Sequence, residues 1–527
     1  MESMKEREKV RFELQERIDA AKVKAERNRL GQFATPPKLA SDIVAYAASL
    51  LSPHLKIRFL EPGFGTGPFY SALLHQVPPS RIEAAVGYEI DQHYAGCAER
   101  LWKETGLRLC VADFTTSEPP KAEAAKYNLV VCNPPYVRHH HLSQIQKREL
   151  QRSTARYLNF EMNGLGGLYT YFMVLSQAWM AKDGVGAWLI PTEFMDVNYG
   201  HRIKEFLMKR VTPSRIHRFD PNDVQFGDAL VSSAVVFFKN SPPPAEHEIE
   251  FTFGGMLERP TVSDSIRLAD LHYISKWTGL PQAISKPIGK HNGVKLADLF
   301  TVKRGLATGC NAFFILTTEQ VRELNLPKKF LKPILPSPRD LEIDEINADQ
   351  NGEPQIQNRR YLLSCDLPEN EVKETYPVLW RYLKRGIETG IEKRYLCKHR
   401  EPWYSQEERP PAPFLCTYMG RPTRRSKSPF RFILNYSKAT TANVYLLLYP
   451  KPDLAASLSH HPELYQKVWQ ALSSIAAEML MQEGRVYGGG LHKLEPKELA
   501  NVPADSVLRV FSDGAKFRTR RQMELFA

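Results

Sequence analysis

The feature of this 527-residue sequence that most constrains its fold is a regular alternation between residues 39 and 238. Short apolar runs typical of strands are separated by amphipathic stretches with apolar residues at helical spacing. This alternation predicts an α/β fold, a mostly parallel sheet with helices on both faces. The predicted strands are Ile57–Leu60, Ala84–Tyr88, Leu107–Val111, Leu129–Cys132, Val185–Ile190 and Val231–Phe238, and the predicted helices are Leu39–Leu51, Pro68–Leu74, Tyr94–Trp102, Tyr169–Met180 and Arg202–Lys209.

This rhythm stops at Ser241-Pro242-Pro243-Pro244, because consecutive prolines cannot continue a helix or a central strand. Beyond it the sequence gains prolines, aromatic residues and basic clusters, which indicates an α+β domain with long loops, and Pro462–Met481 is its clearest amphipathic stretch. We therefore expect a charged N-terminal helix over 1–30, an α/β domain over 31–240, a linker over 241–290 and a second domain over 291–527.

Charge and composition narrow the class of protein. The formal charge is +12, which suits a polyanionic partner because cations that neutralise phosphates release condensed counterions. The seven cysteines are scattered and never spaced as Cys-x-x-Cys, which argues against a disulfide framework or a zinc site. No apolar run approaches the roughly 20 residues that span a bilayer. The charged N-terminus lacks the apolar core of a secretory signal, so we expect a cytoplasmic protein with reduced thiols.

The sharpest motif is Asn133-Pro134-Pro135-Tyr136, which directly follows a predicted buried strand. Ligands of open α/β sheets gather at the carboxyl ends of strands. There the Asn133 amide and the Pro134 carbonyl offer acceptors to both hydrogens of an exocyclic amine, such as N6 of adenine, and Tyr136 offers a stacking platform for a flipped base. The motif predicts methyl transfer to a planar amine, which needs positioning rather than a strong base.

Three further strand ends carry groups suited to a cofactor. The turn Glu61-Pro62-Gly63-Phe64-Gly65-Thr66-Gly67 is Gly-x-Gly-x-Gly, so it matches neither the dinucleotide nor the triphosphate fingerprint. Glu89 ends the second strand, where a carboxylate can accept hydrogen bonds from ribose hydroxyls. Asp113 and Phe114 end the third strand and offer a carboxylate and an aromatic face. Each acidic residue alone also fits a solvated strand end or a helix cap.

These motifs together resemble the gamma class of adenine-N6 DNA methyltransferases, the Taq-type modification enzymes of restriction-modification systems. The resemblance covers nearly the whole chain, because Gly31-Gln32-Phe33-Ala34-Thr35-Pro36-Pro37 is similar to the family's first motif and Gly167–Phe172 to a later one. It implies a Rossmann-like class I methyltransferase sheet, S-adenosylmethionine as cofactor, and a C-terminal target-recognition domain. Gly63 departs from the family pattern, in which many members have a small non-glycine residue.

The resemblance also assigns site residues. It makes Asn133, Pro134 and Tyr136 catalytic, and it places Phe226 opposite Tyr136 across the flipped base. The cofactor residues that it implies are Thr35, Glu61, Gly63, Gly65, Gly67, Glu89, Ile90, Asp113, Phe114, Pro135 and Phe172.

The C-terminal part is expected to read double-stranded DNA. Val302–Gly309, which contains Arg304, and Arg485–Leu491 are similar to segments of such recognition domains. Arginine forks suit phosphates and guanine edges, so the candidate DNA-binding residues are Arg304, Arg421, Arg424, Arg425 and Lys427, although the loop 421–427 also fits a merely solvated loop. Because a single chain carries all the motifs, we expect a working monomer, and we expect any cognate restriction endonuclease to be a separate protein.

Structural explanations of single motifs and alternative functions of the chain stay open. His139-His140-His141 suggests a metal, but consecutive side chains point in different directions and share one ion poorly, so a DNA-facing loop is favoured over a metal site. Trp403, Tyr404 and Tyr418 fit base stacking less well than core packing. The chain also fits a methyltransferase of RNA or of a glutamine amide, or a DNA-binding subunit with an inactive core. The length beyond Phe238 argues against the protein-modifying version, and the intact Asn133–Tyr136 motif argues against the inactive subunit.

Overall fold

A computed structural model describes residues 4–197, 199–220, 232–274, 276–281, 293–423 and 428–511. The chain divides into two compact units, one formed by residues 1–288 with 487–489 and the other by 289–486 with 490–527. Among the described residues, no helix has the length and apolar character needed to cross a membrane. All seven cysteines are free thiols.

Nine strands of the first unit's described residues form one sheet. Its order is β3-β2-β1-β4-β5-β7-β6-β8-β9, with β1 to β5 parallel and β7 antiparallel to both of its neighbours. The strands are β1 (Ile57–Pro62), β2 (Ile82–Glu89), β3 (Leu107–Val111), β4 (Tyr127–Cys132), β5 (Met180–Pro191), β6 (Thr212–Arg218), β7 (Ser233–Lys239), β8 (Glu248–Met256) and β9 (Arg259–Arg267).

The helices of this unit cover both faces of the sheet. In β4 and β7 consecutive residues are buried, and because neighbouring strand residues point to opposite faces, neither face is solvated there. The apolar sides of the helices pack into the same core as these strands. The helices are α1 (Met4–Ala21), α2 (Lys24–Leu30), α3 (Pro37–Ser49), α4 (Pro68–Gln76), α5 (Gln92–Leu101), α6 (Gln144–Leu158), α7 (Leu168–Ser176) and α8 (Gly200–Lys209).

The predicted strands and helices of this unit lie within or beside the observed elements, with five differences. The charged helix predicted over 1–30 is two helices, α1 and α2, and the helix α6 was not predicted. The helix predicted to reach Met180 ends at Ser176, and β5 already begins at Met180. The strand β6 was not predicted, because its mixed polar sequence shows no clear alternation. The predicted linker 241–290 contains β8 and β9, which continue the sheet. Pro242–Pro244 therefore lie in the connection between β7 and β8 and do not mark the end of the sheet.

The second unit is α+β, and its described residues form three small sheets in orders β10-β19-β15-β17-β13, β11-β14-β12-β18 and β16-β21-β20. The predicted amphipathic stretch Pro462–Met481 is two helices, separated at residues 474–476. The strands are β10 (Phe300–Arg304), β11 (Ile315–Thr317), β12 (Leu331–Leu335), β13 (Glu345–Ile346), β14 (Arg360–Leu363), β15 (Phe414–Thr417), β16 (Met419–Gly420), β17 (Phe432–Asn435), β18 (Thr440–Thr441), β19 (Tyr445–Pro450), β20 (Arg485–Tyr487) and β21 (Leu491–Lys493). The helices are α9 (Leu296–Leu299), α10 (Asn311–Phe314), α11 (Thr318–Glu323), α12 (Glu369–Thr375), α13 (Pro377–Glu388), α14 (Tyr395–Lys398), α15 (Pro452–His460), α16 (Leu464–Ser473), α17 (Ala477–Glu483), α18 (Pro496–Asn501) and α19 (Asp505–Arg509).

Candidate active site

A cavity of about 540 Å³ lies at the carboxyl ends of β1, β2, β3 and β4. Parallel strands end at the same edge of a sheet, so residues that are far apart in sequence meet there. The structure brings together most of the residues predicted to form the site. Those that line the cavity are Thr35, Glu61, Gly63, Gly65, Glu89, Ile90, Asp113, Phe114, Asn133, Pro135 and Phe172.

The glycine-rich turn between β1 and α4 presents bare backbone to this cavity. Gly65 has φ +57, and a Cβ added to it would meet no atom within 4 Å, so a ligand has room to approach the main chain. Gly67 was also predicted to contact a cofactor, but it does not line the cavity. A Cβ there would lie 2.4 Å from Cζ of Phe64, so Gly67 instead allows Phe64 to pack closely.

Two carboxylates, of the buried Glu61 and the half-buried Glu89, hold the backbone of this turn. Glu61 accepts a hydrogen bond from the N–H of Tyr70 at 2.9 Å, in the first turn of α4. Glu89 accepts from the N–H of Gly65 at 2.7 Å and of Asp91 at 2.8 Å. Burial raises the pKa of both carboxyls, and these backbone hydrogen bonds oppose the rise. Both residues therefore organise the turn as well as lining the cavity.

The end of the cavity near β3 is apolar. The rings of Phe114 and Phe172 lie with centroids 5.5 Å apart, and Ile90 is 66% exposed although it lines the cavity. Asp113 accepts hydrogen bonds from the N–H and the hydroxyl of Thr115 through Oδ1. An apolar slot with a neighbouring carboxylate suits a planar ring that carries an amine.

Asn133 is held in one orientation by the first motif. Its Nδ2 donates to the carbonyl oxygen of Phe33 at 2.9 Å and to Oγ1 of Thr35 at 3.1 Å. A backbone carbonyl only accepts hydrogen bonds, so these contacts identify which side-chain atom is nitrogen. Within the described part of the chain, the buried Oδ1 atom has no hydrogen-bond partner. Asn133 therefore lines the cavity and carries a buried acceptor that no described group satisfies.

Tyr136, the predicted stacking platform, is buried in the structure. Its ring is 8% exposed and lies 5.5 Å from the ring of Phe33, while its hydroxyl donates to the carbonyl oxygen of Leu189 at 3.0 Å. Burial raises the pKa of this hydroxyl. Neither Tyr136 nor Pro134 lines the cavity. Stacking of the Tyr136 ring on a base stays a prediction, and it requires the ring to become accessible.

Two protein-family models match the chain. Residues 94–225 match the Eco57I restriction-modification methylase family, and residues 282–522 match the C-terminal domain of the Type II methyltransferase M.Eco57I. The two matches together cover more than two thirds of the chain. The chain belongs to the DNA methyltransferases of restriction-modification systems.

Full-length relatives of this methyltransferase include two curated enzymes. The Type II methyltransferase M.AccI of Acinetobacter calcoaceticus is 25% identical over 494 residues, covering 90% of this chain and 85% of its own. M.XamI of Xanthomonas campestris pv. amaranthicola is 26% identical over 489 residues, covering 91% and 86%. The solved structure of the Type IIL restriction-modification enzyme MmeI in complex with DNA has a TM-score of 0.52 at 12% identity, covering 90% of this chain and 70% of that one. Together with the sheet described above, this similarity confirms the predicted fold class.

A group of residues on α1 of the methyltransferase was not predicted from the sequence. Gln15 and Asp19 line the cavity, and Arg11 contacts Thr66 in the glycine-rich turn. No motif marks them, and a charged N-terminal helix is ordinarily solvated. The available signal was their spacing, because Arg11, Gln15 and Asp19 recur every four residues and so share one helix face.

The predicted DNA-binding residues of the methyltransferase lie in its second unit. Arg304 packs its guanidinium 4.0 Å from the ring centroid of Tyr418 and donates to the carbonyl oxygen of Asn443 at 3.0 Å, so it has structural partners. Arg421 is exposed after β16. Tyr404 and Tyr418 are buried, as expected for core residues. The remaining predicted residues, Phe226, Arg424, Arg425 and Lys427, lie outside the described residues.

The three consecutive histidines form a short 3₁₀ turn in the first unit, and His141 lines the cavity. In the described ranges, no three His, Cys, Asp or Glu side chains lie close enough to hold a metal ion.

Proposed function

We propose that this methyltransferase transfers a methyl group from S-adenosylmethionine to N6 of an adenine flipped out of duplex DNA, as a gamma-class enzyme. The observation that carries the proposal is the buried Oδ1 of Asn133, a residue that lines the cavity, because this atom has no hydrogen-bond partner among the described residues. A buried acceptor without a partner costs about 1–3 kcal/mol. The amine of a ligand supplies the missing N–H.

The residues of the cavity fit S-adenosylmethionine. Ile90, Phe114 and Phe172 make an apolar slot for its purine, with Asp113 beside it for the purine amine. Glu89 suits the ribose hydroxyls, and the bare face of Gly65 admits the chain that links ribose and methionine. Thr35 completes the site at the methionine end, and Pro135 also lines the cofactor cavity.

In this mechanism the protein positions the target amine. The N6 lone pair of adenine is delocalised into the ring, so the nitrogen becomes nucleophilic only as it turns tetrahedral. Asn133 Oδ1 accepts one N–H and the Pro134 carbonyl accepts the other, which favours that geometry. When bound, S-adenosylmethionine supplies a methyl group made electrophilic by its sulfonium. The nitrogen lone pair becomes the new N–C bond as the bond between the methyl group and sulfur breaks, the electron pair of that bond stays on sulfur, and the surplus proton on nitrogen leaves to solvent.

Double-stranded DNA is the partner in this proposal. A formal charge of +12 favours a polyanion, and the sequence segment 421–427 carries Arg421, Arg424, Arg425 and Lys427. The domain over 291–527 recognises the target sequence, and residues 31–240 carry the catalytic motifs. The enzyme acts in the cytoplasm as a monomer, and its cognate restriction endonuclease is a separate chain.

The test is methyl transfer by the purified chain from labelled S-adenosylmethionine to unmethylated duplex DNA. Digestion of the product to nucleosides should show the label on N6-methyladenine. Asn133→Ala should lower kcat by about 10² to 10³ or more, because it removes a hydrogen bond that strengthens in the transition state. Duplex binding should stay close to the wild-type level.

Parallel reactions with DNA, RNA and protein as substrates distinguish this proposal from the alternative functions. Label in N4-methylcytosine overturns the assignment to adenine, and label that enters RNA or protein but not DNA overturns the choice of DNA. Activity retained by Asn133→Ala overturns the role of Asn133.

A further inference from the structure

The N-terminal helix α1 (Met4–Ala21) is rich in charge, yet it buries two of its most polar side chains. Arg11 is 1% exposed and Gln15 is 8% exposed. A surface helix ordinarily keeps such groups in water, because burying a charge is costly unless it is paired and hydrogen-bonded. The partners of these two residues therefore indicate what the helix does.

Arg11 uses all three guanidinium nitrogens. Nε and Nη2 form a bidentate pair with Glu8 at 2.8 and 2.7 Å, and Nη1 donates to Oγ1 of Thr66 at 2.9 Å. Glu8 also accepts from the hydroxyl of Ser71 in α4. The buried charge is thus fully satisfied, and it ties α1 to the glycine-rich turn and to the helix that follows it.

Gln15 completes the contacts of the same threonine. The Thr66 hydroxyl donates to Oε1 of Gln15 at 2.8 Å, and Nε2 of Gln15 donates to Asp19 at 2.9 Å. Asp19 also accepts from the hydroxyl of Tyr94 in α5 at 2.7 Å. A continuous chain of hydrogen bonds therefore runs from Glu8 through Thr66 to Tyr94, and Gln15, Asp19, Thr66 and Tyr94 all line the cavity.

A second set of contacts anchors the far end of α1. Lys22, just after the helix, forms an ion pair with Asp91 and donates to Oε1 of Gln32 at 3.1 Å. Gln32 in turn donates to Asp91 at 3.0 Å. These contacts connect α1 with the first motif and with the tip of β2, so the helix is fixed on two sides of the cavity.

We infer that Arg11 and Gln15 are positioning residues that hold Thr66, and through it the glycine-rich turn, in the shape that receives S-adenosylmethionine. This inference rests on the proposed function. Glycines at 63, 65 and 67 all have positive φ, so the turn loses much conformational freedom when it adopts this shape. Hydrogen bonds to both sides of the Thr66 hydroxyl hold that shape before the ligand arrives, and binding of the ligand in turn favours docking of α1.

Calorimetric titration of the full chain with S-adenosylmethionine, and with S-adenosylhomocysteine, tests the inference. Arg11→Met and Thr66→Val should each weaken binding about tenfold, since each breaks a hydrogen bond to a charged or buried group. The double variant should bind about as weakly as either single one, because both changes break the same contact. Thr66→Ser keeps the hydroxyl and should bind like wild type. Arg17→Met, which alters an exposed arginine of the same helix, is the matched control.

Two further measurements separate positioning from a general loss of structure. At saturating cofactor, kcat of Thr66→Val should stay near the wild-type value while KM for the cofactor rises. Amide hydrogen exchange in α1 should slow when S-adenosylhomocysteine binds the wild type. The inference is overturned if Thr66→Val and Arg11→Met bind the cofactor with wild-type affinity, or if amide exchange in α1 does not change when the ligand binds. Either result leaves the proposed function standing. Failure of the wild type to bind either compound overturns the proposed function with it.

Discussion

At residue 31 the backbone of the first motif touches the backbone of the catalytic tetrapeptide. The carbonyl oxygen of Gly31 accepts a hydrogen bond from the N–H of Tyr136 at 3.0 Å. Gly31 has φ +66, and a Cβ there would lie 2.3 Å from the nitrogen of Tyr136. Only glycine permits this approach. The same motif orients Asn133 through Phe33 and Thr35, so it shapes the catalytic loop as well as the cavity.

Gly31→Ala should therefore damage catalysis. The added methyl group must push the Tyr136 backbone and with it Asn133, and a misplacement of about 1 Å can cost about 100-fold in rate. We expect kcat to fall by about that factor, measured as methyl transfer at saturating substrates. The matched control is Gly106→Ala, because Gly106 has φ +83 but open space around it. The control should lose roughly 1–2 kcal/mol of stability from the left-handed backbone and keep its kcat. Wild-type kcat in Gly31→Ala would refute the importance of this contact.

Residues of the site differ in how far sequence alone predicts them. Asn133, Glu89 and Asp113 follow apolar runs, and the rule that ligands gather at strand ends brings them together without knowledge of side-chain contacts. Arg11 and Gln15 gain their roles from Thr66, more than 50 residues away, and no local pattern encodes that contact. The burial of the Tyr136 ring likewise depends on Phe33, a partner from a distant motif.

Among the elements, β6 and β8 form a part of the large sheet that was not predicted from the sequence. Pro242–Pro244 precede β8, and prolines ordinarily mark the end of a sheet. The strand β9 lies at the sheet edge and is mostly polar, so its sequence does not indicate a buried strand. The core between β6 and β8 contains His217 of β6, whose Nδ1 pairs with the hydroxyl of Thr252 in β8 at 2.8 Å. Its Nε2 is buried and has no hydrogen-bond partner within the described residues.

His217 should make the stability of this sheet depend on pH. Burial, and then the nearby Arg215, lower the pKa of His217 to about 4, against an ordinary 6.5. Above pH 6.5 the imidazole is neutral in both states and contributes nothing to the pH dependence. As the pH falls from 6.5 toward 4, the unfolded chain gains a proton that the folded chain excludes, so stability is lost. The loss should reach about 2 kcal/mol between pH 6.5 and 5.

Urea unfolding at pH 7.5, 6.5 and 5 measures this contribution as the difference between wild type and His217→Asn. The asparagine retains a polar group for Thr252 but does not titrate, so its stability should fall less on acidification. His54→Asn, which alters an exposed histidine, should follow the wild type. Equal pH dependence in wild type and His217→Asn would show that the imidazole is not held neutral in the fold.

At the scale of the whole molecule, the two kinds of architecture were predictable from the sequence, but the continuation of the large sheet beyond residue 240 was not. The strand and helix rhythm of residues 39–238 identified the α/β sheet because its buried strands are continuous apolar runs. The second unit has short strands in three small sheets, and its strand pairs join residues as distant as Phe300 and Pro450. Such long-range pairing leaves little periodic pattern in the sequence, so only its α+β character was predictable.

The proposed DNA-binding role belongs to this second unit, and salt titration tests it. The affinity of the full chain for its duplex should fall steeply with salt, because each phosphate contact contributes about −0.9 to the slope of log K against log salt concentration. Replacing Arg421, Arg424, Arg425 and Lys427 with alanine should weaken binding and make this slope shallower by about one unit for each phosphate that the variant no longer neutralises. Lys497→Ala, which alters an exposed cation elsewhere in the unit, is the control and should retain the wild-type slope. If the fourfold variant keeps that slope as well, these four side chains do not neutralise phosphates, and other cations of the chain bind the DNA backbone.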